Sequence, residues 1–172
     1  MDLDDGTREQ PTAALITRPP RAYLTGRATV WVRRGALILT AVTAAACLLA
    51  YPFLPEAIPT HFTNEGNADG FGERSILLVV VGVLVAIEAA LSWASHYPRL
   101  FTYPVSITRE NAQHLYRAGE QMLVWKTAIV AVLLLGLALA IIGGIPLLPF
   151  VVAGLVALIV SLIVGTIRMM RA

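Results

Sequence analysis

Cysteine and lysine each occur once in this sequence, and charged side chains of both signs make up only 14% of it. One cysteine excludes an internal disulfide, so any ordered loop must be held by hydrogen bonds, packing or a ligand. The scarcity of charge, set against 57% hydrophobic residues and a mean hydropathy of +0.72, excludes the usual balance of a soluble domain. No apolar run alternates strictly with polar residues, which excludes a membrane β-barrel. The zinc-hydrolase spacing "HExxH" is absent and no evident nucleophile sits beside His61, so the chain is read as non-enzymatic.

What is present in their place is long apolar runs. Residues 35–53, 76–94, 127–145 and 147–167 each approach the ~20 residues that a bilayer core demands. Inside lipid the peptide groups must bond within their own segment, so each run is expected to be a helix. The expected fold is therefore all-α: a polytopic integral membrane protein with four transmembrane helices, an extracytoplasmic flap loop and a cytoplasmic amphipathic helix. A basic tail, residues 1–34, precedes this domain and is expected to be mostly disordered; the domain itself covers 35–172, with an outer loop at 54–75 and an inner loop at 95–126. Near the end of the tail Tyr23 and Trp31 alternate with Arg27, Arg33 and Arg34, the mixture found at a headgroup layer.

Orientation follows from the basic residues. Arg8, Arg18, Arg21, Arg27, Arg33, Arg34, Arg99, Arg109, Arg117, Lys126, Arg168 and Arg171 fall in one set of flanks, and Arg74 alone in the other. The positive-inside bias then places both termini in the cytoplasm and loop 54–75 outside. Basicity of this kind reads as topology and contact with anionic lipid in the bilayer, not as nucleic-acid binding. Twelve arginines against one lysine, together with abundant alanine, point to a bacterium with a GC-rich genome. "RRGALILTAVTAAAC", ending at Cys47, loosely imitates a lipoprotein signal, but the apolar run continues through "LLAYPF", so an uncleaved span is expected.

In the inner loop Pro98 and Pro104 stop the second span from continuing, and Thr108 is placed as an N-cap. From there Ala112, Leu115, Tyr116, Gly119, Met122, Leu123 and Trp125 recur at helical spacing, with Arg109, Glu110, Arg117 and Glu120 assigned to the polar side. An amphipathic helix on the inner leaflet, feeding the third span, is expected. Small residues recur every fourth position in three spans: Gly82, Ala86, Ala90 and Ala94; Gly136, Ala140 and Gly144; Ala153, Ala157, Ser161 and Gly165. Such seams let helices approach closely and predict a compact four-helix bundle, in which either every seam is internal or one is left for a membrane protein partner or a second copy. Only "PLLP" separates the last two spans, which makes them a tight antiparallel hairpin.

Two polar features stand out against this background. Glu88 is the sole ionisable residue inside the four runs, and a charge at mid-bilayer costs about 2.5–3.5 kcal/mol, so it should face protein. Lys126, at the start of the third span, is a candidate to snorkel toward it. A proton or ion relay needs successive acids or histidines, and no other span offers one.

The second feature is "LPEAIPTHFTNEGNADGFGERS". Pro55 and Pro59 stiffen its entry, while "NEGN" and "ADG" supply turn chemistry. A reversal near Glu65 and Gly66 would bring His61 to the Asp69–Gly70 stretch as a short hairpin-like flap. Three readings compete: a His61–Asp69 hydrogen bond that steadies the flap; a divalent-metal site of His61, Asp69 and one of Glu56, Glu65 or Glu73; and a catalytic His–acid pair.

The order Leu54, Pro55, Ile58, Pro59, His61, Gly66, Asp69, Gly72, Arg74 resembles the signature of a bacterial membrane domain of unknown function found at the N-terminus of SdpI-type immunity proteins. "FTYPVSITRENAQHLYR" is similar to the inner-loop pattern of the same relatives. The resemblance implies a plasma-membrane protein that protects against a secreted membrane-active peptide or signals by holding a repressor at the membrane. It directs attention to Pro59, His61, Gly66 and Asp69. Beside it stands a second reading: an accessory or structural subunit of a larger membrane complex.

Overall fold

The computed structural model describes residues 18–63 and 68–171. Helix α1 (Arg27–Ala50) runs into a short 3-10 turn (Tyr51–Phe53), followed by strands β1 (Ala57–Phe62) and β2 (Ala68–Glu73). Helix α2 (Ser75–Ala94), a second 3-10 turn (Pro98–Leu100), α3 (Ala112–Gly143) and α4 (Leu148–Met170) complete the described chain. All four helices are long and apolar enough to cross a membrane. The protein is an all-α, multi-pass membrane protein carrying one two-stranded hairpin.

The helix ends differ from the apolar runs for local reasons. α1 begins at Arg27, well before residue 35, because no proline interrupts "RATVWVRRG" and the charged side chains of the first turns do not oppose a helix. α3 has 32 residues, about 48 Å of helix, whereas the hydrocarbon core takes only about 30 Å. The expected amphipathic helix is thus the first half of α3, continuous with the third span. Its apolar face is covered by protein: Leu115 and Ala118 pack with Met169 of α4, and Tyr103, Val105, Ile107 and Met122 close over them. α3 ends at Gly144, whose φ of 65° is the left-handed conformation that glycine adopts without strain, and the chain turns at once into α4.

α3 is the axis of the molecule, since α1, α2 and α4 each pack most extensively against it. The compact four-helix bundle expected from the small-residue seams becomes a three-helix core of α1, α2 and α3, with α4 outboard on α3. Gly82, Ala86 and Ala90 are exposed, and α2 buries Leu77, Val81, Glu88 and Ser92 instead. Turning Glu88 to lipid would cost about 2.5–3.5 kcal/mol, more than a stripe of alanine contacts returns, so the carboxyl sets the rotation of α2. On α3 the seam does pack: a Cβ on Gly136 would lie 2.4 Å from Phe150 Cγ. Gly154 and Gly165 likewise admit Leu133 and Met122 of α3. The rest of the α4 seam, Ala153, Ala157 and Ser161, lines a cleft of about 560 Å³ beside Trp125 and Arg168.

Two apolar clusters mark the ends. Cys47, Ile58, Leu77, Val81, Leu134 and Ala138 join α1, β1, α2 and α3 at the hairpin end. The cluster around Leu115 lies at the opposite, arginine-rich end.

Candidate functional site

The hairpin is built from a short-range register that its glycines permit. β1 and β2 pair antiparallel, with Ala57 opposite Glu73, Ile58 opposite Gly72, Pro59 opposite Phe71, His61 opposite Gly70 and Phe62 opposite Ala68; irregularities flank His61. In a two-stranded ribbon both strands are edges, so Pro59 costs no interior ladder bond. Gly70 is required by close approach, because a Cβ there would sit 2.8 Å from His61 Cβ. At the base, the Arg74 amide donates to Glu56 O at 2.9 Å and its guanidinium to Leu54 O at 3.1 Å, while the same group lies 5.2 Å above the Tyr51 ring. Arg74, read from sequence as a topological exception, closes the loop.

One side chain fastens this ribbon to the helices. Ile58 is 1% exposed and inserts among Cys47, Leu77, Val81 and Leu134. His61 and Asp69 stay at the surface, with His61 Nδ1 2.6 Å from Asp69 Oδ1. An exposed pair of this kind adds only about 0–1 kcal/mol. Its effect is orientational: Nδ1 is committed to Asp69, which fixes the plane of the ring. Phe71 and Phe53 are largely exposed and add apolar surface to the same end. Among the described residues no three His, Cys, Asp or Glu side chains gather as metal ligands, so Glu56 and Glu73 do not join the pair. Gly66 and Glu65 lie outside the described residues.

Glu88 finds a different partner from the one expected. Thr40 Oγ1 of α1 donates to Glu88 Oε2 between the helices, and Ser92 is buried one turn further along the same face. Among the described residues no ion pair joins Glu88 to Lys126, and Glu88 Oε1 is buried without a partner. Thr29, Ala36, Thr40, Thr43 and Cys47 form the inward stripe of α1, so a row of small hydroxyl side chains leads past this carboxyl.

The polar centre that the sequence reading missed is Glu120. It sits in the half of α3 that precedes the third span, and it is 1% exposed. Arg33 Nη2 donates to Oε1 at 2.7 Å and Arg21 Nη2 to Oε2 at 3.1 Å. Thr25 and Tyr23 hydroxyls add bonds of 2.8 Å each. Burial alone would raise the Glu120 pKa, but the hydrogen bonds from Tyr23, Thr25 and Arg33 and the charge of Arg21 outweigh it and hold the carboxyl below its ordinary value. The Tyr23 hydroxyl is pushed up, first by burial and then by donating to that carboxylate. Glu120 had been assigned to the polar side of the amphipathic pattern. Its neighbours four residues away, Tyr116 and Val124, are both buried; that spacing was the available signal.

Three of these donors, Arg21, Tyr23 and Thr25, come from residues 18–25, part of the tail expected to be disordered. The segment is held along the start of α3: Ala22 N donates to Gln113 Oε1 and Gln113 Nε2 to Pro20 O, both at 2.8 Å, and Tyr116 donates to Pro19 O at 3.2 Å. Arg21 and Arg117 both lie over the Tyr23 ring, at 4.5 and 5.1 Å.

Comparison with known proteins reaches the hairpin half of the molecule. A family described as a domain of unknown function, DUF1648, matches residues 38–86, from within α1 through both strands and into α2. An uncharacterized protein of Archaeoglobus fulgidus is 34% identical over 65 residues, covering 33% of this chain and 36% of that protein. The matched region thus spans about a third of the relative's length. No solved structure matches.

Proposed function

We propose that this membrane protein is a non-enzymatic sensing or immunity-type module of a bacterial plasma membrane, with both termini cytoplasmic and the hairpin outside. Its hairpin recognises a secreted peptide or another envelope ligand through His61, Asp69 and Phe71. The observation that carries the reading is the anchoring of an exposed hairpin to the helix core through Ile58. A ligand that displaces β1 displaces Ile58, and Ile58 touches the cluster containing Leu134 of α3. α3 then runs unbroken to Glu120, where it holds residues 21–25. Packed side chains on one rigid helix provide the physical route between the two ends.

The test is survival. Deleting the gene from its host should sensitise cells to a membrane-active peptide, and re-expression of the wild type should restore growth. His61→Ala and Phe71→Ala, produced at normal levels in the membrane, should restore it poorly. Full restoration by both variants would overturn the role of the hairpin.

The α3–α4 cleft favours a second reading, an accessory subunit of a larger membrane complex. Its lining of Ala153, Ala157 and Ser161 has the small side chains that admit another helix. On that reading the hairpin variants complement fully in the same experiment.

A further inference from the structure

The arginine-rich end holds a cavity that the sensing reading does not use. It has a volume of about 410 Å³ and is lined by Arg18, Arg21, His96, Tyr97, Arg99 and Leu100, where the chain leaves α2. Arg21 is held by Glu120, and Arg18 and Arg99 are fixed by backbone contacts. Arg18 Nη1 donates to Phe101 O at 2.8 Å, and Arg99 Nη2 donates to Arg18 O at 2.7 Å. Arg18 spends Nη1 on two neutral carbonyls, Arg99 O and Phe101 O, and Arg99 spends Nη2 on one, which leaves Nε and the other terminal nitrogen of each guanidinium for the cavity.

Charge in and beside this cavity does not balance. Arg18, Arg21, Arg33 and Arg99 bring four positive charges, and Glu120 is the one carboxylate that forms an ion pair with any of them among the described residues. Among the described residues the surplus is three. His96 does not offset it: Nδ1 lies 2.8 Å from Ser92 O and Nε2 2.8 Å from Arg33 Nη1, so the hydrogen bonds assign Nδ1 as donor and Nε2 as acceptor of a neutral ring. A confined arginine cluster with surplus charge is complementary to a phosphate, which two guanidinium forks bind with directional hydrogen bonds.

The surface around the cavity mouth says which phosphate. Trp93 and Tyr97, with ring centroids 5.0 Å apart, are exposed at the end of α2, and Leu100 is 73% exposed beside them. Aromatic rings in this position sit at headgroup depth, with apolar surface toward the acyl chains. We infer that the Arg18–Arg21–Arg99 cavity is a binding site for the phosphate group of an anionic phospholipid, whose acyl chains lie along Trp93 and Leu100. Basic pockets at the ends of membrane helices bind lipid phosphates by this chemistry.

The experiment uses the full chain purified in mild detergent and supplied with phosphatidylglycerol or phosphatidylcholine, with bound lipid counted by native mass spectrometry. Wild type should retain phosphatidylglycerol in clear preference to phosphatidylcholine. Arg18→Gln and Arg99→Gln should each weaken that retention by about fivefold. Arg27→Gln and Arg109→Gln each remove the same single charge from an exposed position outside the cavity and should leave retention unchanged. Arg99→Lys, which keeps the charge and lacks the fork, serves if a glutamine variant fails to fold, and should also retain less. Equal retention of the two lipids, or an equal loss in either the Arg27 or the Arg109 control, would overturn the site. Displacement by inorganic phosphate at the concentration of added lipid would overturn the lipid assignment in favour of a soluble anion.

Discussion

Glu120 receives hydrogen bonds or charge from Arg21, Tyr23, Thr25 and Arg33, so its protonation weakens the hold on residues 21–25. Its folded pKa lies below the ordinary 4.5. The sign follows from linkage: a carboxyl with a depressed folded pKa contributes stability that is complete above the unfolded value and is lost as pH falls through the folded one. Thermal unfolding in detergent, followed by circular dichroism, should therefore be flat from neutral pH to about 5 and decline below the ordinary carboxylate range. Glu120→Ala leaves Arg21 and Arg33 without their counter-charge and should destabilise by about 3 kcal/mol at neutral pH. Glu120→Gln should flatten the acid limb. An acid limb unchanged in Glu120→Gln would mean that another group controls it. Glu120 was assigned to the polar side although its spacing from Tyr116 and Val124 matches the buried face, and its donors lie about a hundred residues away in sequence, where no local pattern announces such a pairing.

At the scale of elements, the hairpin is a ribbon too small to be stable alone, since an isolated two-stranded pair is marginal in water. Ile58 supplies the missing tertiary contact. Ile58→Ala should cost about 2–5 kcal/mol if the whole fold depends on it. If the hairpin instead opens as a separate unit, hydrogen exchange should accelerate in residues 57–62 and 68–73 while the amides of α3 keep their protection. Unchanged exchange in both strands would remove Ile58 as the anchor and with it the proposed route from hairpin to α3. The turn residues of the loop were legible as a reversal, and the opposition of His61 and Gly70 follows from that reversal. The anchoring role of Ile58 was not legible, because a lone isoleucine between prolines carries no periodicity.

For the whole molecule, the distribution of basic residues predicts which side of the membrane each end occupies. Cys47 is fully buried, so a cysteine introduced elsewhere reports without background. His61→Cys should react with a membrane-impermeant maleimide in intact cells. Leu24→Cys, at a position 90% exposed, should react only after the membrane is permeabilised. The reverse pattern would invert the topology and place the hairpin in the cytoplasm. The same scale shows why the seams misled: α2 turns its Gly82–Ala86–Ala90 row outward, and α4 uses only part of its own against α3.

Sequence alone determined the class, because a run of about twenty apolar residues has few stable destinations other than a membrane helix. It also determined where the chain reverses, since proline and glycine act locally. Tertiary structure decided the rotation of each helix, the partner of Glu88 and the capture of residues 18–25 by Glu120. These outcomes depend on which buried polar groups meet, and that competition is settled between segments far apart in the chain, where desolvation makes every unpaired group costly.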